Sequence, residues 1–274
     1  MPLATLALVL CAAVVHALWN LIVVQSRDRT ATTTIVILFG ALVFAPLAVL
    51  LWNVQAQAWP YIVLSSALEL VYFALLVAAY ERADLSLVYP IARGSAPVLV
   101  LILSVVLVGA PTSAGQIAGV ALVGTGVFVV RGIRGGAHWQ HVALALAVAL
   151  AIASYVVVDK EGVKYADPVT YGVLILGIPG IVATALVLGR GGPRRLAAAF
   201  NWRSALGGVF SMLAYTLVLI ALTTAAAASV SAVRESSVVI AAILGAVVLK
   251  EKSGPERVVG SVIVLIGVAL VVLG

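Results

Sequence analysis

Long apolar runs are the feature that most constrains how this chain can fold. About 20 apolar residues in a helix cross the roughly 30 Å hydrocarbon core of a bilayer. Cutting the 274-residue sequence at its charged and Gly/Pro-rich breaks gives ten such runs, and only 9% of the residues are charged. We therefore predict an all-α, polytopic membrane protein. Its ten transmembrane helices are predicted at residues 3–24, 33–52, 60–80, 84–108, 114–130, 141–158, 168–188, 204–222, 226–249 and 256–273.

The positive charges lie between the apolar runs. The formal net charge is +6, but the sequence shows no basic, aromatic-interleaved patch, so nucleic acid is not an expected partner.

Twelve Lys and Arg residues follow odd-numbered runs, and only Lys160 and Lys164 follow even-numbered ones. Because cytoplasmic connections carry the excess of Lys and Arg, we predict cytoplasmic odd connections, both termini outside and a bacterial inner-membrane location. The first run lacks a basic leader and is predicted to be a retained helix.

An internal repeat divides the chain. A shift of 141 residues aligns RGSAPVLVLIL with RESSVVIAAIL and continues without a gap. The sequence therefore predicts two five-helix repeats, residues 1–132 and 133–274, and an odd number of helices makes them inverted. That design is typical of secondary transporters. The matched polar and glycine pairs are Arg93 with Arg234, Ser95 with Ser236, Gly119 with Gly260 and Gly126 with Gly267. These glycines, with Gly124, are expected to allow close helix packing.

The paired halves, the LKEK sequence at 249–252 and the glycine-spaced fifth and tenth runs resemble the drug/metabolite transporter superfamily. The resemblance is to its ten-helix EamA-type members and covers essentially the whole chain. It implies a carrier of small metabolites with a central cavity lined by helices such as the first, third, fourth, sixth, eighth and ninth. The fifth and tenth would pack behind them. One departure is orientation, since the nucleotide-sugar carriers among these relatives keep both ends in the cytosol, opposite to our Lys and Arg count.

Four ionisable residues lie near the centres of predicted helices: Glu69, Arg93, Arg234 and Glu235. Each mid-membrane charge costs about 2.5–3.5 kcal/mol on the insertion scale, so each must face a partner or a cavity. One interpretation is that the glutamates neutralise the arginines as structural ion pairs. The other is that the guanidinium groups bind a carboxylate, phosphate or phosphonate of a substrate. Two charges of each sign favour a zwitterion, and protonation of Glu69 or Glu235 would admit an anion and couple transport to protons.

Polar and aromatic residues of other helices are further candidates for substrate binding. His16 and Asn20, four residues apart in HALWN, share a helix face with Trp19 beside them. The alternative is that His16 is a packing residue hydrogen-bonded to Asn20. Pro90 and Pro97 predict a kink or an opened backbone in the fourth run. The aromatic candidates, which could equally be core residues, are Tyr72, Tyr89, Tyr155 and Tyr215.

Enzyme signatures are missing from the sequence. There is no HExxH motif, one cysteine only, Cys11, and no carboxylate set with metal spacing. We predict no catalytic residues, metal or cofactor.

The expected function is secondary active transport of a small polar metabolite with an acidic group: an amino acid, a phosphonate or a related organic anion or zwitterion. Transport is expected to proceed by alternating access and to be coupled to protons. The alternatives are a flippase for an anionic lipid-linked sugar, a multidrug exporter and an intramembrane enzyme. The expected partners are this substrate, membrane lipid and protons, while the sequence leaves substrate identity, direction and oligomeric state open.

Overall fold

The described residues form a bundle of eleven helices. The computed structural model describes residues 1–82, 85–131, 139–247 and 255–274. Seven of the described helices are long and apolar enough to cross a membrane, so the chain is an all-helical integral membrane protein. The helices are α1 Leu3–Val24, α2 Arg29–Leu50, α3 Ala58–Arg82, α4 Leu85–Val108, α5 Ala114–Arg131, α6 Trp139–Gly162, α7 Pro168–Ala199, α8 Trp202–Thr224, α9 Ala227–Arg234, α10 Ser236–Val247 and α11 Pro255–Leu273.

Several predicted helices differ from those observed. The run 226–249 is divided at Glu235 into α9 and α10. Helix α6 continues to Gly162, one turn past its predicted end, and α7 continues to Ala199. Within α7, Gly192 has a positive φ of 68°, a conformation that glycine adopts without a steric cost. The chain therefore bends there before Pro193 instead of ending. Helix α4, in contrast, runs as one element through both of its prolines.

Polar side chains fix where several helices begin. The Asp28 carboxylate accepts a hydrogen bond from the Ala31 backbone N–H at 3.0 Å, which caps α2. Asp167 caps α7 in the same way, with Pro168 at its first position, where a missing N–H costs nothing. Asn201 and Ser204 form a reciprocal capping box at the start of α8. These caps are set by local sequence and hold the helix ends in place.

Contacts between connections group the helix ends into two ends of the bundle. At one end, Arg195 after the bend in α7 pairs with Asp28 between α1 and α2. At the other, residues between α2 and α3 pair with residues between α6 and α7 through an antiparallel bridge, Val54 to Ala166. Thr5 at the start of α1 also hydrogen-bonds Thr224 at the end of α8. Helix α1 therefore begins at the end of the bundle where α6 finishes.

Glycine allows the closest helix contact of the bundle, between α5 and α11. A Cβ atom at Gly267 would lie 2.7 Å from the Val123 backbone nitrogen and 2.8 Å from the Gly119 carbonyl oxygen. Gly126 and Gly260 face each other's backbones in the same way, and Gly124 faces Gly94 of α4. The predicted packing role of these glycines is confirmed, and it places α5 and α11 side by side.

The remaining helices surround the interior. Helix α1 packs on α8, α2 packs on α7 and α8, and both α3 and α4 pack on α6. Helix α4 also contacts α9, and α1 contacts α9 and α10. The helices predicted to line a cavity, α1, α3, α4, α6, α8 and α9, are thus neighbours around one central region.

Candidate functional site

The ionisable residues predicted within the membrane all lie inside the bundle. Glu69 is 3% exposed, Arg93 8% and Glu235 2%, and Arg234 is half-buried. Burying a charge in an apolar region is costly unless it finds a partner. Their partners therefore decide what the site can do.

Arg93 of α4 pairs with the residue at which the helix breaks. Its Nε lies 3.1 Å from Glu235 Oε2, and its Nη2 donates to Ser237 Oγ at 3.5 Å. Glu235 is the single residue between α9 and α10. The ion pair that one interpretation of the sequence expected for Glu235 is thus present, and it joins α4 to the α9–α10 break. A guanidinium group is held at a discontinuous helix, the element at which transporters commonly bind ligands.

Asp159 is a buried carboxylate that sequence reasoning did not select. It is 2% exposed and accepts hydrogen bonds from Ser65 Oγ at 2.5 Å, Tyr215 OH at 2.7 Å and Tyr171 OH at 3.2 Å. The donors come from α3, α8 and α7, so one carboxylate joins four helices. Gly162 lies against this cluster, since a Cβ there would overlap the Tyr171 hydroxyl. We call Asp159 and its three donors the Asp159 cluster.

Glu69 is the third buried carboxyl group of the interior. Its carboxyl group interacts electrostatically with Asp159 and with Arg234. It lies one helical turn from Ser65 on α3, so both face α6. Among the residues that the structure describes, no hydrogen-bond or ion-pair partner is found for the Glu69 side chain. Of the three buried carboxyl groups, it is therefore the least stabilised as an anion.

Two of the predicted tyrosines interact with both the arginines and a buried carboxyl group. Tyr155 interacts electrostatically with Glu69 and both arginines, and so does Tyr72. The rings of Tyr72 and Tyr155 meet edge to face with centroids 6.1 Å apart. Both tyrosines therefore belong to one cluster with the charged residues.

His16 of α1 faces the same cluster, although its partners differ from those expected. Its Nδ1 accepts a hydrogen bond from Trp19 Nε1 at 3.2 Å, and the two rings meet edge to face. Asn20 donates instead to the His16 backbone carbonyl at 2.8 Å. His16 interacts electrostatically with Arg234 and Arg93. Since Nδ1 is an acceptor, Nε2 carries the proton of the neutral ring.

Several of these interior side chains retain accessible surface. His16, Tyr72, Tyr215 and Arg234 are half-buried, so each keeps some side-chain surface that the surrounding helices do not cover. The side chain of Tyr89, another predicted residue, lies outside the described residues. Among the described residues, no group of three or more His, Cys, Asp and Glu is placed to hold a metal ion.

Comparison with protein families shows which family the chain belongs to. The family model described as the EamA-like transporter family matches residues 3–132 and again residues 139–273. The chain belongs to this family. The predicted resemblance to EamA-type members of the drug/metabolite transporter superfamily is confirmed, and the family is one of transporters.

Solved structures support the fold of this EamA-like transporter. One crystal structure, 16% identical in sequence, superposes with a TM-score of 0.80 over 100% of this chain and 98% of its own. At that identity the likeness concerns the fold alone. Comparison with curated proteins gave no match.

The structure changes the charge balance expected for this family member. Sequence reasoning set two arginines against two glutamates, which sum to zero. Asp159 adds a third carboxyl group to the same electrostatic cluster, since it interacts with Arg234. With all five groups ionised, the cluster carries a net charge of −1. A bound proton or a ligand of net charge +1 would make it neutral.

Proposed function

We propose that this EamA-like transporter is a secondary carrier of ten transmembrane helices, arranged as two inverted five-helix repeats, residues 1–132 and 133–274. Helices α9 and α10 have 8 and 12 residues, too short to cross a bilayer singly but long enough together. With the seven long helices and the shorter apolar segments Ala114–Val130 and Val258–Leu273, they make ten spans.

Helix packing supports the two-fold relation of the proposed repeats. Helix α2 packs on α7 and α5 on α11, which pairs each helix with its counterpart in the other half. The contact of α1 with α8 has its equivalent in the contact of α3 with α6. The opposite directions of α1 and α6 agree with inversion. Such a relation allows one carrier to expose the same site alternately to either side.

The substrate that the cluster fits best is a small polar metabolite with an acidic group, such as an amino acid, a phosphonate or a related organic anion or zwitterion. The observation that carries this proposal is the placement of Arg93 and Arg234 in one cluster inside the bundle, with Arg93 held at the break between α9 and α10. Guanidinium groups bind carboxylate and phosphonate oxygens in pairs and stay charged. Glu235 holds the Arg93 guanidinium until a substrate anion exchanges for it. With one proton bound the cluster is neutral, and a neutral cluster fits a zwitterion.

The arginine proposal is tested by binding and transport. Purified protein would be screened for thermal stabilisation by amino acids, phosphonates, sugar phosphates and nucleobases, and the best compound, radiolabelled, would be used for uptake into proteoliposomes. Arg93→Gln should weaken its apparent affinity at least about 30-fold, since truncating a buried charge pair costs about 2 kcal/mol or more. Arg190→Gln, an exposed guanidinium of α7, is the matched control.

Unchanged affinity in Arg93→Gln would contradict the proposed role. Including cationic dyes in the same screen tests the multidrug alternative, because tight binding of a permanent cation without an acidic group would favour an exporter. The flippase alternative is tested with an anionic lipid-linked sugar in the proteoliposomes. Movement of that lipid between leaflets, without uptake of soluble compounds, would favour it.

We further propose that Glu69 binds the transported proton. Glu235 is paired with Arg93 and Asp159 accepts three hydrogen bonds, so both are stabilised as anions, whereas Glu69 is not. Glu69→Gln should therefore abolish substrate-driven proton entry, measured with a pH-sensitive dye trapped in proteoliposomes. Exchange of labelled for unlabelled substrate should continue.

The matched control is Glu161→Gln, a partly exposed carboxylate that pairs with Lys164. It should change neither proton entry nor exchange. Normal proton entry in Glu69→Gln would show that another group carries the proton.

A further inference from the structure

The bend in α7 produces a group of arginines at one end of the bundle. Arg195 Nε and Nη2 donate to the two oxygens of Asp28 at 2.6 and 3.1 Å. Arg27 and Arg29 flank Asp28, and Arg194 precedes Arg195. The bidentate pair therefore brings three further guanidinium groups within side-chain reach of one another. We call Arg27, Arg29 and Arg194 the arginine corner.

The described part of the chain does not neutralise the charges of the arginine corner. Asp28, the carboxylate next to it, is already occupied by both nitrogens of Arg195. The three corner arginines are exposed, and no ion-pair partner for them is found among the described residues. Arg203 at the start of α8 adds a fourth exposed cation nearby. The corner thus presents several guanidinium groups to an anion from outside the chain.

Packing holds this corner against the apolar body of the bundle. After the bend at Gly192, Leu196 and Ala199 return to contact a small core that includes Ile35 of α2 and Val187 of α7. Phe200 meets Phe39 of α2 edge to face at 5.8 Å. The backbone that carries Arg194 therefore packs against the ends of the apolar helices, where lipid headgroups are expected.

Aromatic side chains beside the corner point to a lipid instead of a soluble anion. Phe200 is 55% exposed and Trp202 70%, and the Arg203 guanidinium lies over the Trp202 ring at 5.5 Å. Exposed aromatic rings next to cations are typical of the membrane interface. Basic clusters at the cytoplasmic end of membrane helices attract anionic headgroups, and the Lys and Arg count predicts that this end is cytoplasmic.

We propose that the arginine corner binds the phosphate headgroup of an anionic phospholipid, with Phe200 and Trp202 against its glycerol and acyl region. The guanidinium groups supply paired donors to phosphate oxygens, and the Asp28–Arg195 pair keeps them together. The site is independent of the interior cluster and of what the carrier transports.

The test measures lipid retention by the purified full chain in detergent. Native mass spectrometry would count bound dioleoylphosphatidylglycerol and, separately, dioleoylphosphatidylcholine. The wild-type chain should retain the anionic lipid preferentially. Arg29→Gln with Arg194→Gln should weaken retention about fivefold for each guanidinium removed. Lys164→Gln, an exposed cation at the opposite end, is the matched control and should change nothing.

Three results would overturn the proposal. They are equal retention of both lipids by the wild type, undiminished retention by the double variant, and an equal loss in Lys164→Gln. Displacement of the lipid by millimolar inorganic phosphate would assign the corner to a soluble anion instead. If the double variant melts below the wild type, Arg194→Gln alone replaces it, because no hydrogen bond or ion pair of Arg194 is found among the described residues. Transport is not measured in this test, so a failure of the proposed carrier function leaves its result unchanged.

Discussion

At the scale of single residues, charge within an apolar run was the informative signal. Glu69, Arg93, Arg234 and Glu235 could be selected because each charge would be expensive in lipid, and the structure places all four inside the bundle. Asp159 could not be selected in this way. It stands beside Lys160 and Glu161, so the sequence there looks like a polar connection. Only the extra turn of α6 carries it into the interior.

The Asp28–Arg195 pair predicts a dependence of stability on pH. Hydrogen bonds from Arg195 lower the pKa of the Asp28 carboxyl below its ordinary value. A lowered pKa means that the pair stabilises the fold at neutral pH and that this contribution is lost as pH falls below about 3.9 and through the lowered value. Thermal unfolding should show Asp28→Asn less stable than wild type at pH 7, with the difference shrinking below about pH 4.

The pair is partly exposed, so solvent screens it and its contribution is modest. The control is Glu161→Gln, which removes a carboxylate from a pair at the other end of the bundle. A difference between Asp28→Asn and wild type that persists undiminished at pH 3 would contradict the assignment to charge.

At the scale of helices, apolar length predicted the elements well, and tertiary contacts decided what it could not. Helix α4 contains Pro90 and Pro97 yet runs through both. The break lies instead at Glu235, in a sequence without proline or glycine. The carboxylate at the break pairs with Arg93 of α4. That partner is distant in sequence, so propensity alone gives no sign of it.

The close contact of α5 with α11 predicts that adding one methyl group at this contact strongly lowers the unfolding free energy. Gly267→Ala would place a Cβ 2.7 Å from the Val123 backbone nitrogen, and neither backbone can move without separating the helices. We expect a loss of about 1–3 kcal/mol in unfolding free energy, as for other overpacked positions, measured by denaturant titration in detergent.

The matched control is Gly177→Ala in α7, where a Cβ would meet nothing within 4 Å. It should be neutral or slightly stabilising, because alanine favours helix over glycine. Equal effects of the two substitutions would mean that the α5–α11 contact is looser than described.

At the scale of the whole molecule, the repeat in the sequence was the most informative signal for the architecture. The 141-residue shift pairs Gly119 with Gly260 and Gly126 with Gly267, and these glycines meet between α5 and α11. The shift did not reveal the Asp159 cluster, because its residues have no matched charge in the first half. Features shared by both halves were thus predictable, and features of one half were not.

The orientation of the whole bundle in the membrane can be predicted and tested. We expect Lys164 outside and Arg194 in the cytoplasm, from the Lys and Arg count. In a Cys11→Ala parent, a membrane-impermeant maleimide added to intact cells should label Lys164→Cys and leave Arg194→Cys unlabelled. Permeabilised cells should label both. The reverse pattern in intact cells would place both termini in the cytosol, as in the nucleotide-sugar carriers.

Gly162 affects the Asp159 cluster through packing alone. It carries no polar group and takes no part in binding, yet any side chain there would displace the Tyr171 hydroxyl from the carboxylate. Asp159 would then keep two of its three donors and hold its negative charge less firmly. An uncharged substitution at the last residue of α6 would thus change the electrostatics of the buried cluster while leaving every charged residue in place.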